Sequence, residues 1–259
     1  MKKNKKISIF IAIMLSVILG TTFLMYGKTS SNQYTQTKGN NNIDEIVEDI
    51  ISHEIDNFHE DAINKFKMDV ENILEDSTDS DDLSKANFIS GYMDTIDLKN
   101  NEAIEKFNKS ISYFEKDTYP KLKVQVYYEL SKTYLNEEEY EKSKEMFEKL
   151  ISICKAENMN EELVKLCLAR SNDIIEIPGG VNEALQLMED TLKLAKEINY
   201  NEIEDVYLTI GVTYWYGDKM VEGIKFKLEA LRICEEKKLN KKKLDVLTDI
   251  GLDYLLTGD

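Results

Sequence analysis

From Ile43 onward the apolar residues of this chain recur every three or four positions, in blocks separated by short polar turns. That spacing gathers them on one face of a helix, where a strand would alternate them. The clearest block is Val124–Ile151, VQVYYELSKTYLNEEEYEKSKEMFEKLI. Tyr127, Leu130, Ser131 and Tyr134 share a face on a first helix. Tyr140, Ser143, Phe147 and Leu150 share one on a second, with the joint at Asn136-Glu137. Ser131 and Ser143 are small enough to let two antiparallel helix backbones approach closely, while the aromatic residues fill the space on either side.

The block recurs along the chain. The small residue opening each second helix falls at Ala62, Ala103, Ser143, Ala184 and Gly223, in steps of 41, 40, 41 and 39. Its first-helix counterpart falls at Gly91, Ser131, Asn172, Gly211 and Gly251, in steps of 40, 41, 39 and 40. Two registers agreeing on a period near 40 predict an all-α array of stacked helix–turn–helix units.

The units are uneven. Leu83–Lys116 has Asp94 where an aromatic residue is expected, and Glu161–Glu197 has Asn172 in the small slot with Pro178-Gly179-Gly180 in the turn. Ile203–Lys237 keeps Tyr207, Ile210, Gly211, Tyr214 and Ala230, but Lys227 stands in for the aromatic residue. A fifth unit starts with Leu247, Ile250, Gly251 and Tyr254 and has no second helix before Asp259. Those three apolar side chains are expected to face water, each forgoing about 1.5–3 kcal/mol of burial. Three arrangements answer that: a reading frame that continues, a frayed last helix, or a second copy of the chain covering the face. Upstream, the helical run from Ile43 to Leu74 offers a break at Asp56-Asn57, and the acidic loop Glu75–Asp82 holds N-cap candidates ahead of Leu83.

Before this array the pattern changes. Residues 1–6 are basic. Residues 7–26, ISIFIAIMLSVILGTTFLMY, hold no charge and are long enough to cross a bilayer as a helix. An uncleaved transmembrane anchor and a signal peptide both fit; the length of the apolar run and the lack of an A-x-A-like site favour the anchor. Either way the lysines stay on the cytoplasmic side and the rest lies outside the cell membrane. Residues 27–42 are a polar, low-complexity stalk, and residues 43–259 form the repeat domain.

Composition narrows the function. A net charge of −16 repels phosphate backbones and argues against nucleic-acid binding. Cys154, Cys167 and Cys234 are odd in number and lack C-x-x-C spacing, so they fit small apolar core residues better than disulfides or zinc ligands. His53 and His59 lie six residues apart, which is neither one helix face nor a zinc-protease motif. No phosphate-cradling glycine loop is present. No catalytic residue, cofactor site or metal site is expected.

The order aromatic, Leu, small, Tyr, turn, small, Phe in Val124–Ile151 resembles the tetratricopeptide repeat, with Tyr127 in the Trp position and Ser131 and Ser143 in the Gly and Ala positions. The usual period of that family is about 34, so these units are a long version of it. The resemblance implies a right-handed α-solenoid whose first helices line a concave groove for a protein or peptide ligand. Carried over residue by residue, the groove would present Phe88 and Tyr92; Gln125, Tyr128 and Lys132; Asp173; and Leu208, Val212, Trp215 and Tyr216. Membrane-anchored arrays of this type are similar to the input parts of bacterial signalling proteins with a diguanylate cyclase or histidine kinase output. Here the output domain would lie beyond Asp259. A membrane-anchored adaptor for envelope proteins is the alternative, and an envelope enzyme with an unrecognised site a third. Self-association through the exposed last helix is a further expectation.

Overall fold

The computed structural model describes residues 43–51, 60–116 and 118–257. All of these belong to one compact unit, Asn41–Asp259. The anchor and stalk segments, the two histidines and the Asp56-Asn57 break lie outside the described residues. Among the described residues no helix is long and apolar enough to cross a membrane.

Eleven helices and no strand are present among the described residues. α1 (Ile43–Ile51) and α2 (Glu60–Asp76) precede four hairpins and a single closing helix. The hairpins are α3 (Ser80–Ile96) with α4 (Asn100–Ser112), α5 (Pro120–Asn136) with α6 (Tyr140–Ala156), α7 (Asn160–Ile174) with α8 (Gly180–Glu197), and α9 (Ile203–Tyr216) with α10 (Met220–Glu236). α11 (Asn240–Thr257) packs on α10. Each second helix also packs on the next first helix, and successive first helices touch, so the hairpins stack as an α-solenoid.

One turn is used again and again. Leu98, Glu138, Asn158, Asn199, Asp218 and Lys238 all have φ between 52° and 59°. The residue after each donates its N–H to the carbonyl five residues back, at 2.8–2.9 Å. This is the Schellman closure of a helix, made here without glycine. Six of the helices thus end the same way.

The structure corrects the register of the third unit. Asn172 is exposed, and Ser171 is the fully buried small residue at the crossing. The first-helix series is then Gly91, Ser131, Ser171, Gly211 and Gly251, every step 40. From first- to second-helix small residue the spacing is 12 in three units but 13 from Ser171 to Ala184. The extra residue sits in the Ile175–Gly179 turn, where Gly179 takes φ 79° and a Cβ on Gly180 would lie 1.7 Å from the Ile174 carbonyl oxygen.

Two further expectations change. Asp94 replaces an aromatic contact by pairing across its hairpin with Lys106 at 2.5 Å. Ile250 does not face water but is buried on α10, whereas Leu247 and Tyr254 are exposed as expected. The three cysteines are buried thiols. Burial pushes Cys154 up to about 12 and Cys167 up to about 11.

Candidate protein-interaction surface

The first helices set the candidate surface, and its parts differ. At the start, α1 packs on α3 and α5, both first helices. Its Ile43, Ile46, Val47 and Ile50 recur at helical spacing and are buried in the same core as Phe88, Ile89 and Val126. Asp44 adds an ion pair to Lys85 at 2.5 Å. Beside α1 a cleft of about 530 Å³ is lined by Asp44, Glu48, Asp79, Asp81, Lys85 and Glu115, among others. Lys85 is spent on Asp44 and Asp81: burial works against its charge, but those carboxylates outweigh it and raise its pKa. Among its described lining residues the cleft therefore has no free cation to offer an anion.

Phe88 does not line a surface. It is 0% exposed, with its ring 6.2 Å from Phe107 on its own second helix. Tyr92 is half-buried beside it, ring centroids 6.4 Å apart.

The middle of the array gathers most of the predicted polar residues into one cluster. Gln125 donates to Glu129 at 3.0 Å, and Lys132 lies 3.8 Å from Glu129 and 5.4 Å above the Tyr128 ring. Asp173 of α7 faces Tyr128 and Lys132 from the neighbouring unit. Burial raises the Asp173 pKa, and Lys132 and Arg170 only partly offset this. Its Oδ2 has no hydrogen-bond partner. Gln125 and Tyr128 are buried at 4% and 6% exposure, so Lys132 is the part of the cluster a partner meets first.

Beneath the cluster lies Arg170, which the sequence reading missed. It is 2% exposed in the slot that Leu130 and Ile210 fill elsewhere. Its Nη1 donates to Ser143 Oγ at 2.7 Å and Ser131 Oγ at 3.2 Å, and its guanidinium lies 5.4 Å from the Phe147 ring centroid. Each serine hydroxyl meanwhile donates to the other's carbonyl, at 2.9 and 2.7 Å. The α5/α6 crossing is thus tied to α7 by a cation held on neutral oxygens and a π face. Glu183, at 3.8 Å, is its nearest carboxylate. A strict period of 40 would have flagged it as a cation in an apolar register.

Further along, Leu208, Val212, Trp215 and Tyr216 are half-buried on α9. Trp215 and Tyr216 pack edge to face at 5.1 Å, and Tyr216 donates to Glu176 of the preceding unit at 3.1 Å. Among the described residues no helix lies across α7 and α9 as α1 lies across α3 and α5. No group of three His, Cys, Asp or Glu side chains among the described residues could hold a metal ion.

Residues 124–157, which cover most of α5 and all of α6, match the family model of the tetratricopeptide repeat. No curated protein matches the sequence.

Proposed function

From a chain that carries a tetratricopeptide repeat within a tetratricopeptide-like array, we propose a membrane-tethered module that binds a protein or peptide ligand on the first-helix faces of α5, α7 and α9. Repeats of this kind are protein-interaction modules, and nothing in the cluster forms a nucleophile–base pair. The observation that carries the reading is the uncovered run from Lys132 and Asp173 to Trp215 and Tyr216. A charged rim and half-buried aromatic anchors of this kind are what interface hot spots use. The uncharged residues 7–26 behind a lysine-rich start support the tether, with the array outside the cell membrane. An input role in a bacterial signalling protein rests on the resemblance to anchored sensing arrays.

The experiment is selection of a displayed peptide library on the immobilised chain, followed by titration of an enriched peptide. Trp215 is the single tryptophan of the chain, so its emission reports binding on this face directly. Binding should shift that emission, and Trp215→Ala and Lys132→Glu should each weaken affinity about tenfold or more. Lys144→Glu, on the exposed side of α6, should leave it unchanged. The reverse pattern would remove the first-helix face from consideration. Loss of membrane sedimentation on deleting residues 1–26 checks the tether.

A further inference from the structure

α1 lies across the array instead of within it. The repeat helices pack on their neighbours in sequence, whereas α1 packs mainly on α3 and α5, the first helices of two successive hairpins. It buries four aliphatic side chains there, Ile43, Ile46, Val47 and Ile50, and pairs Asp44 with Lys85 of α3 at 2.5 Å. We propose that the α3/α5 face is a helix-binding groove and α1 its resident occupant. The helix that displaces α1 is an amphipathic one from a partner protein, with aliphatic residues at i, i+3, i+4 and i+7, a carboxylate at i+1 and a base at i+5.

The repeat register is the first reason. Phe88 and Leu208 hold the same place in the pattern, three steps of 40 apart. Leu208 is half-buried on an open first-helix face. Phe88 is 0% exposed, in one core with the four aliphatic residues of α1. α1 thus covers the kind of face that α7 and α9 leave open. It bridges two units along their first helices, as an amphipathic helix bound in a groove does.

The second reason is how lightly α1 is held. At nine residues it is too short to persist as a helix away from the groove. Four buried aliphatic side chains and one ion pair stand against the ordering of those nine residues, and the two terms are of similar size. Its release is therefore a local opening that leaves the stacked hairpins in place. The face it uncovers is apolar, with Ile89 and Val126 in the same core as Phe88, so it calls for another apolar helix.

Charge selects that helix. Lys85 is held by two carboxylates, Asp81 of its own helix and Asp44 of α1. An incoming helix keeps that pairing only with an acid one position after its first aliphatic residue. Five residues after Ile43, α1 carries Glu48, which lines the cleft together with Asp79, Asp81 and Glu115. The exposed Lys121 acts on Glu48 from outside the cleft. A base in place of Glu48 would meet those carboxylates with the favourable sign. α1 is thus mismatched to its groove at one position, and a partner helix that corrects it has the advantage.

The test does not depend on ligand binding at α5, α7 and α9. It uses the full chain, in detergent where the apolar segment requires it. Hydrogen exchange should open the α1 amides well before those of α5 and α6. Equal protection overturns the proposal, because α1 would then open only with the array. Ile46→Asp, which drives α1 off, should bind a labelled peptide of the α1 sequence, IDEIVEDII, while the array stays helical. The unsubstituted chain should bind it about tenfold more weakly or worse, because the tethered α1 competes. Glu48→Lys in the peptide should tighten binding about threefold, and Lys85→Glu in the opened chain should weaken it about tenfold. Trp215, on α9, should keep its emission throughout. Absence of binding to the opened chain overturns the proposal, as does binding indifferent to both charge changes. A shift of Trp215 emission would put the peptide on the α9 face instead, and melting of the whole array by Ile46→Asp would make α1 part of the core. Either result also overturns it.

Discussion

Two cations occupy apolar slots of the same repeat pattern, and their surroundings are opposite. Arg170 takes the place of a leucine in the third unit and rests on Ser131, Ser143 and the Phe147 ring. Lys227 takes the place that Phe107, Phe147 and Met188 hold in the other units and lies between two carboxylates, Asp249 and Asp253. Around Arg170 the hydroxyls already satisfy one another, so the cation is an addition. Around Lys227 nothing else neutralises the carboxylate it meets at 2.7 Å, buried at 2% exposure, so the cation is a requirement. A repeat pattern thus tolerates a charge in its core in two ways, and only the second one reshapes the neighbouring helix: by drawing its acids inward, Lys227 leaves the outer face of α11 apolar.

The sharpest way to break the comparison is to remove each cation. Lys227→Leu should lose about 3–5 kcal/mol, because it leaves the buried Asp253 carboxylate unpaired. Chemical denaturation will read this as a lower midpoint. Next comes the backbone contact beside it: Gly211→Ala forces a Cβ against Lys227 and the Gly223 carbonyl and should cost about 1–3 kcal/mol. In dilute protein Gly251→Ala, which meets nothing, should instead gain up to about 1 kcal/mol of helix propensity. Arg170→Leu restores the repeat's own residue and should shift stability by less than about 1.5 kcal/mol; a loss as large as that of Lys227→Leu would dissolve the distinction.

Smaller effects sharpen it. Leu98 is exposed with φ 59°, so Leu98→Gly should raise the melting temperature slightly, by up to about 1 kcal/mol of relieved strain. Two further carboxylates, Glu204 and Asp173, should titrate with opposite sign. Burial pushes Glu204 up, but Lys237 at 2.7 Å and Lys242 at 3.3 Å outweigh it and hold its carboxyl below the ordinary range. Its contribution is present above the unfolded pKa of about 4.3 and is lost as pH falls through the lower folded value. Asp173, raised by burial, contributes stability below its unfolded pKa of about 3.9 that is lost as pH rises through its folded value. Melting temperature against pH should therefore show a shallower acid loss for Glu204→Gln and a gain at neutral pH for Asp173→Asn.

Period, helix type and the small-residue crossings were legible because the fold needs small residues at fixed intervals and a helix shows its buried face in its spacing. The third unit misled for a physical reason. Keeping the usual spacing of 12 back from Ala184 points to Asn172, but a five-residue turn has taken up one residue, and Ser171 is the buried one. Four residues predicted on a common surface, Gln125, Tyr128, Lys132 and Asp173, do come together. Phe88 does not, since helical spacing alone cannot tell a groove face from an interhelix face 100° away. Nor could the amphipathic pattern of Ile43–Ile51 say which helices it would cover.

The measurement that bears most directly on the contrast between the two cations is a double-mutant cycle at Lys227 and Asp253, read by chemical denaturation. If the cation is required by its carboxylates, Lys227→Leu should be strongly destabilising alone. Combined with Asp253→Leu the loss should be smaller than the sum of the two single losses, by a coupling of about 1–3 kcal/mol. Losses that simply add would mean the pair contributes nothing specific, and the closed α10/α11 seam would need another cause.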